Sequence, residues 1–462
     1  MWLRQSVRLV RPITRSLGSA QAQLENNQVD GEYASAKSYK SIPKVPTLKI
    51  LRSMFDSEQK TKLDKVFKEY HDDLGPMFKI CVPGNTDRVF INDPEYLRVL
   101  LSKEGKNPVE PGFDPLVYYR NEMRKDLFHD TAGLVGSKGE AWYQVRSKVQ
   151  QDMMRPKSAM FYINDIEEIS QQFVELLAAN TDSNSEVEDI IQHLYCWSLE
   201  SIAAIFLDTR LGTLDPSLPD DSEARRFIKA VNVFLGPELN DLNLGLPIWK
   251  YISTPSFRRW DQSQVTIFDI TKKYVERAVE RYRLEEVREG DELSVLQKMI
   301  RRCGEDSQIP VVMAQDAITA GVDTTGVTVA FFLLDLANNP SQQEQLYQEI
   351  RTVLKDGKIT ESKLNQMKYL KACLQESMRL APAVVGFSRT VPHHISLGGY
   401  QVPQGTIVTC FTRNLMIDPQ QFSEPLQFRP ERWLRGCPEH HKAHPFAAIP
   451  FAHGPRMCVG RR

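Results

Sequence analysis

The sequence predicts a mainly α-helical fold with small β-sheets. From residue 139 to about residue 300, apolar positions recur with helical spacing. Residues 310–338 form the longest helical candidate, and Pro340 marks its end. Short runs with strand character lie at 78–92 and at 395–412. The helices therefore dominate the middle of the chain, and the strands come from its two ends.

Length, charge and cysteine content exclude several classes of protein. The 462 residues suffice for one large domain or several small ones. Lysine and arginine total 58 against 59 aspartate and glutamate residues, so net charge indicates neither nucleic acid nor a polyacid as a partner. The seven cysteines are dispersed, odd in number and without a Cys-x-x-Cys pair. This pattern argues against a disulfide framework and a structural zinc site, and favours a reducing compartment.

The N-terminus has the composition of a targeting segment. No acidic residue precedes Glu25, and no uninterrupted apolar stretch reaches the ~20 residues of a membrane-spanning helix. Four arginines share one face of a helix: Arg4, Arg8, Arg11 and Arg15. We therefore predict a mitochondrial transit peptide with a linker over residues 1–40, and one folded domain over 41–462. Pro12 weakens the helix, so a disordered basic tail is the alternative.

The folded part begins with strands and continues into an irregular segment. Residues 78–82 and 88–92 are strand candidates on either side of a Pro-Gly-Asn turn, which predicts a hairpin. A helix should follow Asp93, because proline and an acid occupy its first turn. Residues 103–138 are rich in glycine, proline and charge and too long for an ordinary connection. A segment of this kind often forms a lid or a binding loop.

The long central helix has an unusual middle, at residues 320–325. A helix of this length would extend roughly 43 Å, enough to cross a domain. Asp323 lies beside Thr324 and Thr325 in otherwise apolar surroundings, where threonine hydroxyls compete for backbone carbonyls and bend a helix. We expect Gly321 to leave room for a flat cofactor or O2. By itself the motif fits a kinked structural helix equally well.

The last dozen residues hold one cysteine in a glycine-rich loop. Cys458 lies between Gly454 and Gly460, with Arg456 two positions before it. The glycines permit a tight loop or the close approach of a flat ligand. Inward-facing N–H groups and Arg456 would favour the thiolate, which can serve as an axial ligand of haem iron. A buried structural cysteine is the alternative for such a residue.

Several motifs in the same order resemble the cytochrome P-450 superfamily. The Phe-x-x-Gly-x-Arg-x-Cys-x-Gly run from Phe451 resembles its haem-binding loop, and residues 320–325 resemble its oxygen-activating helix. The resemblance extends from residue 41 to 462. It implies a P-450 fold with haem b held by the thiolate of Cys458. It also implies that Thr324 hydrogen-bonds the oxygen being activated, and that Asp323 supplies protons to it.

The resemblance assigns further residues to the support of haem. It implies a buried structural triad of Glu376, Arg379 and Arg432, which would stabilise the loop that presents the cysteine. The residues implied to bind haem and its propionates are Trp142, Arg146, Arg389, His453, Arg456, Gly454 and Gly460. Arginine suits this role because its planar fork donates two parallel hydrogen bonds to a carboxylate. His453 could equally be a packed loop residue.

The resemblance also implies a substrate pocket and an electron donor. Residues 107–130 should line the distal side together with Ala317, Ala320, Val384, Val385 and Phe387. This apolar wall suits a lipophilic substrate, either a steroid or a xenobiotic. The paired arginines after Gly460 resemble the mitochondrial class of animal, and particularly insect, enzymes. That class receives electrons from NADPH through a reductase and an adrenodoxin-like ferredoxin.

The proposed ferredoxin-docking residues are basic: Lys368, Lys371, Arg461 and Arg462. Solvated helix positions are the alternative for each lysine. We expect association with the membrane surface on the matrix side of the inner mitochondrial membrane, and no binding of nucleic acid. The family continues beyond the point where this sequence stops, with a helix and a hairpin, so we expect a C-terminally truncated form.

The predicted activity is that of a monooxygenase, which inserts one atom of O2 into the substrate. Three alternatives stay open at this stage. The chain could be a truncated form that binds haem but is inactive, or a haem-thiolate isomerase that needs no electron donor. It could also be a structural helical protein in which the cysteine loop is coincidental.

Overall fold

The computed structural model describes residues 31–50, 63–81, 87–129, 131–234, 236–244, 247–284, 292–305, 307–355, 357–438 and 442–461. The arginine-rich part of the predicted transit peptide and Arg462 lie outside these residues.

Helices make up most of the described chain, as the sequence predicts. In chain order they are α1 (Gly31–Ser35), α2 (Leu63–Leu74), α3 (Pro94–Ser102), α4 (Asp114–Tyr118), α5 (Lys125–Phe128), α6 (Gly133–Gly136), α7 (Gly139–Met153), α8 (Pro156–Met160), α9 (Ile163–Ala179), α10 (Ile190–Phe206), α11 (Glu223–Phe234), α12 (Pro237–Leu244), α13 (Pro255–Leu284), α14 (Val295–Cys303), α15 (Ile309–Asn338), α16 (Pro340–Val353), α17 (Glu361–Gln366), α18 (Lys368–Leu380) and α19 (Thr412–Met416). Short 3-10 turns add Tyr39–Ser41, Pro247–Lys250 and Pro430–Trp433.

The described residues contain six strands in two small sheets. Five of them lie in the two parts of the chain that the sequence indicates, and the strand Phe387–Thr390 was not predicted. The strands are β1 (Met77–Ile80), β2 (Arg88–Ile91), β3 (Phe387–Thr390), β4 (Ile395–Leu397), β5 (Tyr400–Val402) and β6 (Ile407–Cys410). One sheet has the order β1-β2-β6-β3, with β2 and β6 parallel and the other two pairs antiparallel. β4 and β5 form a separate antiparallel hairpin. The N-terminal and C-terminal parts of the described chain thus share one sheet.

The stretch from residue 31 to 40, interpreted from the sequence as linker, packs against this β4–β5 hairpin. The backbone N–H of Lys37 donates to Gly399 O at 2.9 Å, and that of Gln401 donates to Lys37 O at 2.8 Å. These two bonds attach the stretch to the domain. It is therefore part of the fold in the structure.

The largest hydrophobic core surrounds α15, which packs along α10. Two glycines permit this close approach. A Cβ on Gly321 would lie 2.5 Å from Ile202 Cδ1, and one on Gly326 would lie 2.6 Å from Tyr195 Cδ1. Our expectation that Gly321 makes room for a cofactor or O2 is therefore wrong. Its missing side chain is needed because α10 crosses the central helix at that point.

Asp93 begins α3 as the sequence predicts, since its carboxylate accepts hydrogen bonds from Glu95 N and Tyr96 N. The central helix, predicted over 310–338, is observed as α15. Among the described residues it is the helix long and apolar enough to cross a membrane by length and composition alone. In this structure its first half is buried among other helices. An apolar composition is typical of a buried core helix as well as of a membrane-spanning one.

The irregular segment 103–138 is held to α15 by a buried ion pair. Arg120 Nη1 lies 2.7 Å from Asp316 Oδ1, and both side chains are almost fully inaccessible to solvent. The second carboxylate oxygen of Asp316 accepts hydrogen bonds from Leu134 N and Val135 N, at the start of α6. Gly133 packs so closely on Asp316 that a side chain there would collide with the carboxylate. The segment is therefore fixed by tertiary contacts that no local sequence pattern predicts.

Candidate active site

The cysteine loop is shaped by backbone hydrogen bonds and attached to α7. Cys458 is exposed, and its N–H donates to Phe451 O at 3.0 Å. Met457 N donates to Gly454 O at 3.1 Å, and Gly454 has a φ of +84°, a conformation that favours glycine. Arg146 Nη2 donates to Met457 O at 2.8 Å. This bond fixes the residue next to the cysteine and places a cation beside the loop.

Three predicted propionate ligands, two from α7 and one from the cysteine loop, lie together. The guanidinium groups of Arg146 and Arg456 both lie close to the indole of Trp142, with their Cζ atoms 5.7 and 4.7 Å from its ring centroid. Arg456 Nη2 donates to Ser137 O at 2.6 Å, just before α7. All three clustered side chains are buried. The structure therefore brings Trp142, Arg146 and Arg456 into one cationic group.

Arg389 joins this group through two carboxylates that sequence reasoning missed. Its Nε donates to Glu104 Oε2 at 2.6 Å and its Nη1 to Glu110 Oε1 at 2.9 Å. The other oxygen of Glu110 accepts from Arg456 Nη1 at 3.1 Å. Arg389 and Arg456 are thus bridged by a carboxylate of the chain itself. Glu104 and Glu110 lie in or next to the irregular segment, and no local spacing links them to arginines some 280 residues later.

Burial dominates the electrostatics of this arginine cluster, defined as Arg146, Arg389 and Arg456. Desolvation lowers the pKa of Arg146 to about 10, although the nearby Cys458 charge opposes the shift. Burial also lowers the pKa of Arg456. The pKa of Glu104 is raised by burial, against the opposing charge of Arg389. The lowered arginine pKa values and the raised glutamate pKa both mean that burial disfavours the charged forms. A further anion beside the three arginines would therefore stabilise their positive charge.

The predicted triad forms a buried network on the C-terminal side of α18. Arg379 donates to both oxygens of Glu376, from Nη2 at 2.7 Å and from Nε at 2.9 Å. Arg432 Nε donates to Glu376 Oε1 at 3.0 Å. The side chains of Glu376, Arg379 and Arg432 are 0%, 0% and 4% exposed. Trp433 Nε1 adds a fourth side-chain bond to the carboxylate at 2.8 Å, which the sequence prediction did not include.

Asp323 and Thr324 lie side by side on α15, both half-buried. The hydroxyl of Thr324 donates to Ala320 O at 2.7 Å, one turn earlier. Its proton is therefore committed to the helix, while its oxygen lone pairs can still accept a hydrogen bond. Asp323 Oδ1 accepts a hydrogen bond from the hydroxyl of Tyr195, at 2.6 Å. Sequence reasoning missed Tyr195, which reaches Asp323 from a different helix.

The predicted pocket residues lie on two elements. Ala317 and Ala320 are on α15, and Ala320 is exposed. The other three lead into or begin β3: Val384 and Val385, which are exposed, and Phe387, which is half-buried. Arg389 lies over the ring of Phe387, with Cζ 4.7 Å from the centroid. This contact places one predicted pocket residue directly beside the arginine cluster.

The remaining predicted site residues are at the surface. Lys368 and Lys371 are exposed on α18, and Arg461 is exposed after the cysteine loop. His453 is exposed as well, and its ring contacts Phe446 with centroids 4.9 Å apart. Gly460 leaves space near the thiol, since a Cβ on it would lie 3.8 Å from Cys458 Sγ.

Comparison with known proteins identifies the family. The cytochrome P450 family model matches residues 43–462, nearly the whole described fold. The chain belongs to the cytochrome P450 family. It is 35% identical to cytochrome P450 CYP12A2 of Musca domestica, over 97% of this chain and 88% of the relative. It is also 35% and 34% identical to the probable mitochondrial cytochromes P450 12a5 and 301a1 of Drosophila melanogaster, over 94% and 93% of this chain and 84% and 80% of those proteins.

The protein is accordingly a P450 monooxygenase, as predicted, and its mainly helical fold with small sheets is that of the family. Membership implies haem with a cysteine thiolate ligand. The residues present fit that group. Arg456 Nε is buried with no partner among the described residues, so the arginine cluster retains a donor for an acceptor such as a carboxylate. The exposed Cys458 beside Gly460 has room for a flat ligand.

Proposed function

We propose that this P450 oxidises a lipophilic small molecule, steroid-like or xenobiotic, with electrons delivered by a mitochondrial ferredoxin. The reaction would convert a C–H bond, one O2, two electrons and two protons into C–OH and one water. NADPH would supply the electron pair through a ferredoxin reductase. The observation that carries this proposal is the buried cluster of Arg146, Trp142 and Arg456 next to Cys458.

In this proposal the haem, ligated by Cys458, supplies the oxidation chemistry. Arg146 and Arg456 bind its propionates, while Trp142 keeps both guanidinium groups in place. Arg389 acts on the same cluster through Glu110, which it shares with Arg456. This assignment differs from the prediction that Arg389 itself binds a propionate, because Arg389 already donates to two carboxylates of the chain.

Proton handling is assigned to the middle of α15. Thr324 would accept a hydrogen bond at its hydroxyl oxygen while its own O–H donates to Ala320 O. Asp323 passes protons toward the distal side, where one oxygen atom of O2 must leave as water. The two residues are adjacent and half-buried, so they can contact both the protein interior and a ligand beside α15.

The polarity of the predicted distal residues supports a lipophilic substrate. Ala317, Ala320 and Phe387 carry no polar side-chain atoms, and neither do Val384 and Val385. Apolar walls with few polar groups are typical of sites that bind small apolar ligands. A steroid and a synthetic xenobiotic would both satisfy this chemistry.

Basic surface residues and the named relatives support the electron route and the location. Exposed Lys368, Lys371 and Arg461 suit an acidic ferredoxin, since complementary charge raises the rate of encounter and fixes orientation. Several relatives are named mitochondrial. Together with the arginine-rich N-terminus, this supports import into mitochondria and association with the matrix side of the inner membrane.

The first experiment is the absorption spectrum of the reduced, carbon-monoxide-bound protein. We expect the red-shifted Soret band of thiolate ligation in the wild type and its loss in Cys458→Ser. Cys437→Ser is the control, since Cys437 belongs to a neighbouring loop and is half-buried. A thiolate band that persists in Cys458→Ser would refute the ligand assignment.

The second experiment reconstitutes turnover with ferredoxin, its reductase and NADPH. Product formation from steroid or xenobiotic substrates would support the proposed reaction. A protein that binds haem but forms no product with any electron donor would instead be the inactive form considered above. In Thr324→Ala we expect O2 consumption with little product and released hydrogen peroxide. Tight coupling of O2 use to product in that variant would remove Thr324 from proton handling.

A further inference from the structure

Tyr195 connects α10 to the proposed proton donor on α15. Its hydroxyl donates to Asp323 Oδ1 at 2.6 Å, within the range of about 2.5–2.7 Å for a charge-assisted bond from a hydroxyl to a carboxylate. Both residues are half-buried. A charge-assisted bond in such a position restricts the carboxylate to one orientation more strongly than a bond in bulk water would. The contact therefore determines which way Asp323 points.

The packing around Tyr195 is specific for this contact. A Cβ on Gly326 would lie 2.6 Å from Tyr195 Cδ1 and 3.0 Å from Cε1, so only glycine leaves space for the ring. Gly326 lies three residues after Asp323, on the adjacent turn of α15. The ring is thus seated on one turn of the helix while its hydroxyl contacts the preceding turn. A ring held in this way cannot swing far from Asp323.

The electrostatics keep the tyrosine in the donor state. Burial, followed by the hydrogen bond to Asp323 and the charge of that residue, raises the pKa of Tyr195. The phenol consequently stays protonated at neutral pH and continues to donate.

We propose that Tyr195 is a positioning residue for proton delivery, which orients the Asp323 carboxylate from α10 and thereby couples O2 consumption to product formation. This inference rests on the proton-handling role of Asp323 in the proposed function. It adds a residue outside the central-helix motif, and it gives Gly326 the role of admitting the Tyr195 ring.

The test uses the haem-loaded enzyme and the variant Tyr195→Phe, which removes the hydroxyl and keeps the ring. We expect the product formed per O2 consumed to fall about tenfold, as for the loss of one hydrogen bond to a charged group. The dissociation constant for substrate, measured from the haem spectrum, should stay unchanged. Tyr274→Phe is the matched control, because Tyr274 also donates to a carboxylate, Glu223, at 2.8 Å but belongs to α13.

A double-mutant comparison separates a direct role from a general loss of structure. If Tyr195 acts through Asp323, Tyr195→Phe should cause no further loss of coupling in an Asp323→Asn background. Equal losses in both backgrounds would mean that Tyr195 acts by another route, and would overturn the inference. The inference would also be overturned if the product formed per O2 consumed fell in Asp323→Asn but stayed unchanged in Tyr195→Phe. That result would leave the proposed function intact.

A readout without turnover is fluorine NMR of the protein labelled with 3-fluorotyrosine. The resonance that disappears in Tyr195→Phe should change its chemical shift in Asp323→Asn, whereas that of Tyr251, whose residue is 88% exposed, should not. A resonance that ignores the Asp323 substitution would refute the contact. If Asp323→Asn leaves coupling unchanged, the role of Asp323 and this inference both fail.

Discussion

Replacing Glu376 by glutamine should destabilise this P450 far more than the same change at a surface Glu-x-x-Arg pair. The Glu376 carboxylate accepts five hydrogen bonds, two from Arg379 and one each from Arg432 Nε, Trp433 Nε1 and Arg429 N. A glutamine of the same shape has one acceptor oxygen and places an NH2 group against these donors. Two buried guanidinium groups would then lose their counter-charge.

The size of the effect follows from burial. Removing one partner of a buried charged network costs about 3–5 kcal/mol, because the remaining charge is left uncompensated. Glu95 and Arg98 are a suitable comparison, since they have the same i, i+3 spacing on α3 but side chains 51% and 46% exposed. An exposed pair contributes about 0–1 kcal/mol. The expected difference between Glu376→Gln and Glu95→Gln is therefore several kcal/mol.

The assay is urea unfolding of the haem-loaded protein, followed by far-ultraviolet circular dichroism and by the Soret band. The free energy of unfolding of each variant is compared with the wild type at the same pH and salt concentration. We expect the Soret band of Glu376→Gln to be lost at a lower urea concentration than in the wild type. If the free energies of unfolding of Glu376→Gln and Glu95→Gln differ by less than about 1 kcal/mol, the triad does not stabilise the fold around the cysteine loop as proposed.

Two further substitutions test the packing and the pH dependence of the fold. Gly454→Ala should lower the free energy of unfolding by about 1–3 kcal/mol more than Gly405→Ala does. Both glycines have φ near +84°, but only Gly454 faces a side chain, that of Glu104. Equal unfolding free energies for the two variants would contradict this. Burial lowers the pKa of His71 from 6.5 to about 4, with Nδ1 3.2 Å from Gly75 O. Between these pH values the unfolded state binds a proton that the folded state does not, so acidification from pH 6.5 to 4 should remove at most about 3 kcal/mol of stability. His71→Gln should flatten that slope relative to the wild type in urea titrations across this range, and an unchanged slope would exclude His71 as its cause.

The central helix shows which of its features a local sequence pattern predicts and which depend on tertiary packing. Its length is predictable because helical periodicity and Pro340 are local properties of the chain. The role of Gly321 was misread, since a glycine within an apolar helix gives no indication of which neighbour requires it. Only the crossing of α10, which brings Ile202 against that glycine, decides the matter.

In the arginine cluster, the sequence predicted the arginines but not the carboxylates that pair with them. Arg146, Arg389 and Arg456 were identified from motifs, and the structure places them around Trp142 and Glu110. Their carboxylate partners were not identified. A buried arginine requires a partner, but its sequence neighbourhood does not say which carboxylate will be brought to it.

The sequence by itself determined the helical class, the cysteine loop and the Asp323–Thr324 pair, because each depends on residue types at short spacing. The tertiary structure alone decided that Glu104 and Glu110 neutralise part of the arginine cluster, and that the Tyr195 hydroxyl donates to Asp323. Those contacts join residues 128 to 285 positions apart in the chain. Side chains so distant become neighbours only when whole helices pack, and that packing depends on the shape of the entire core.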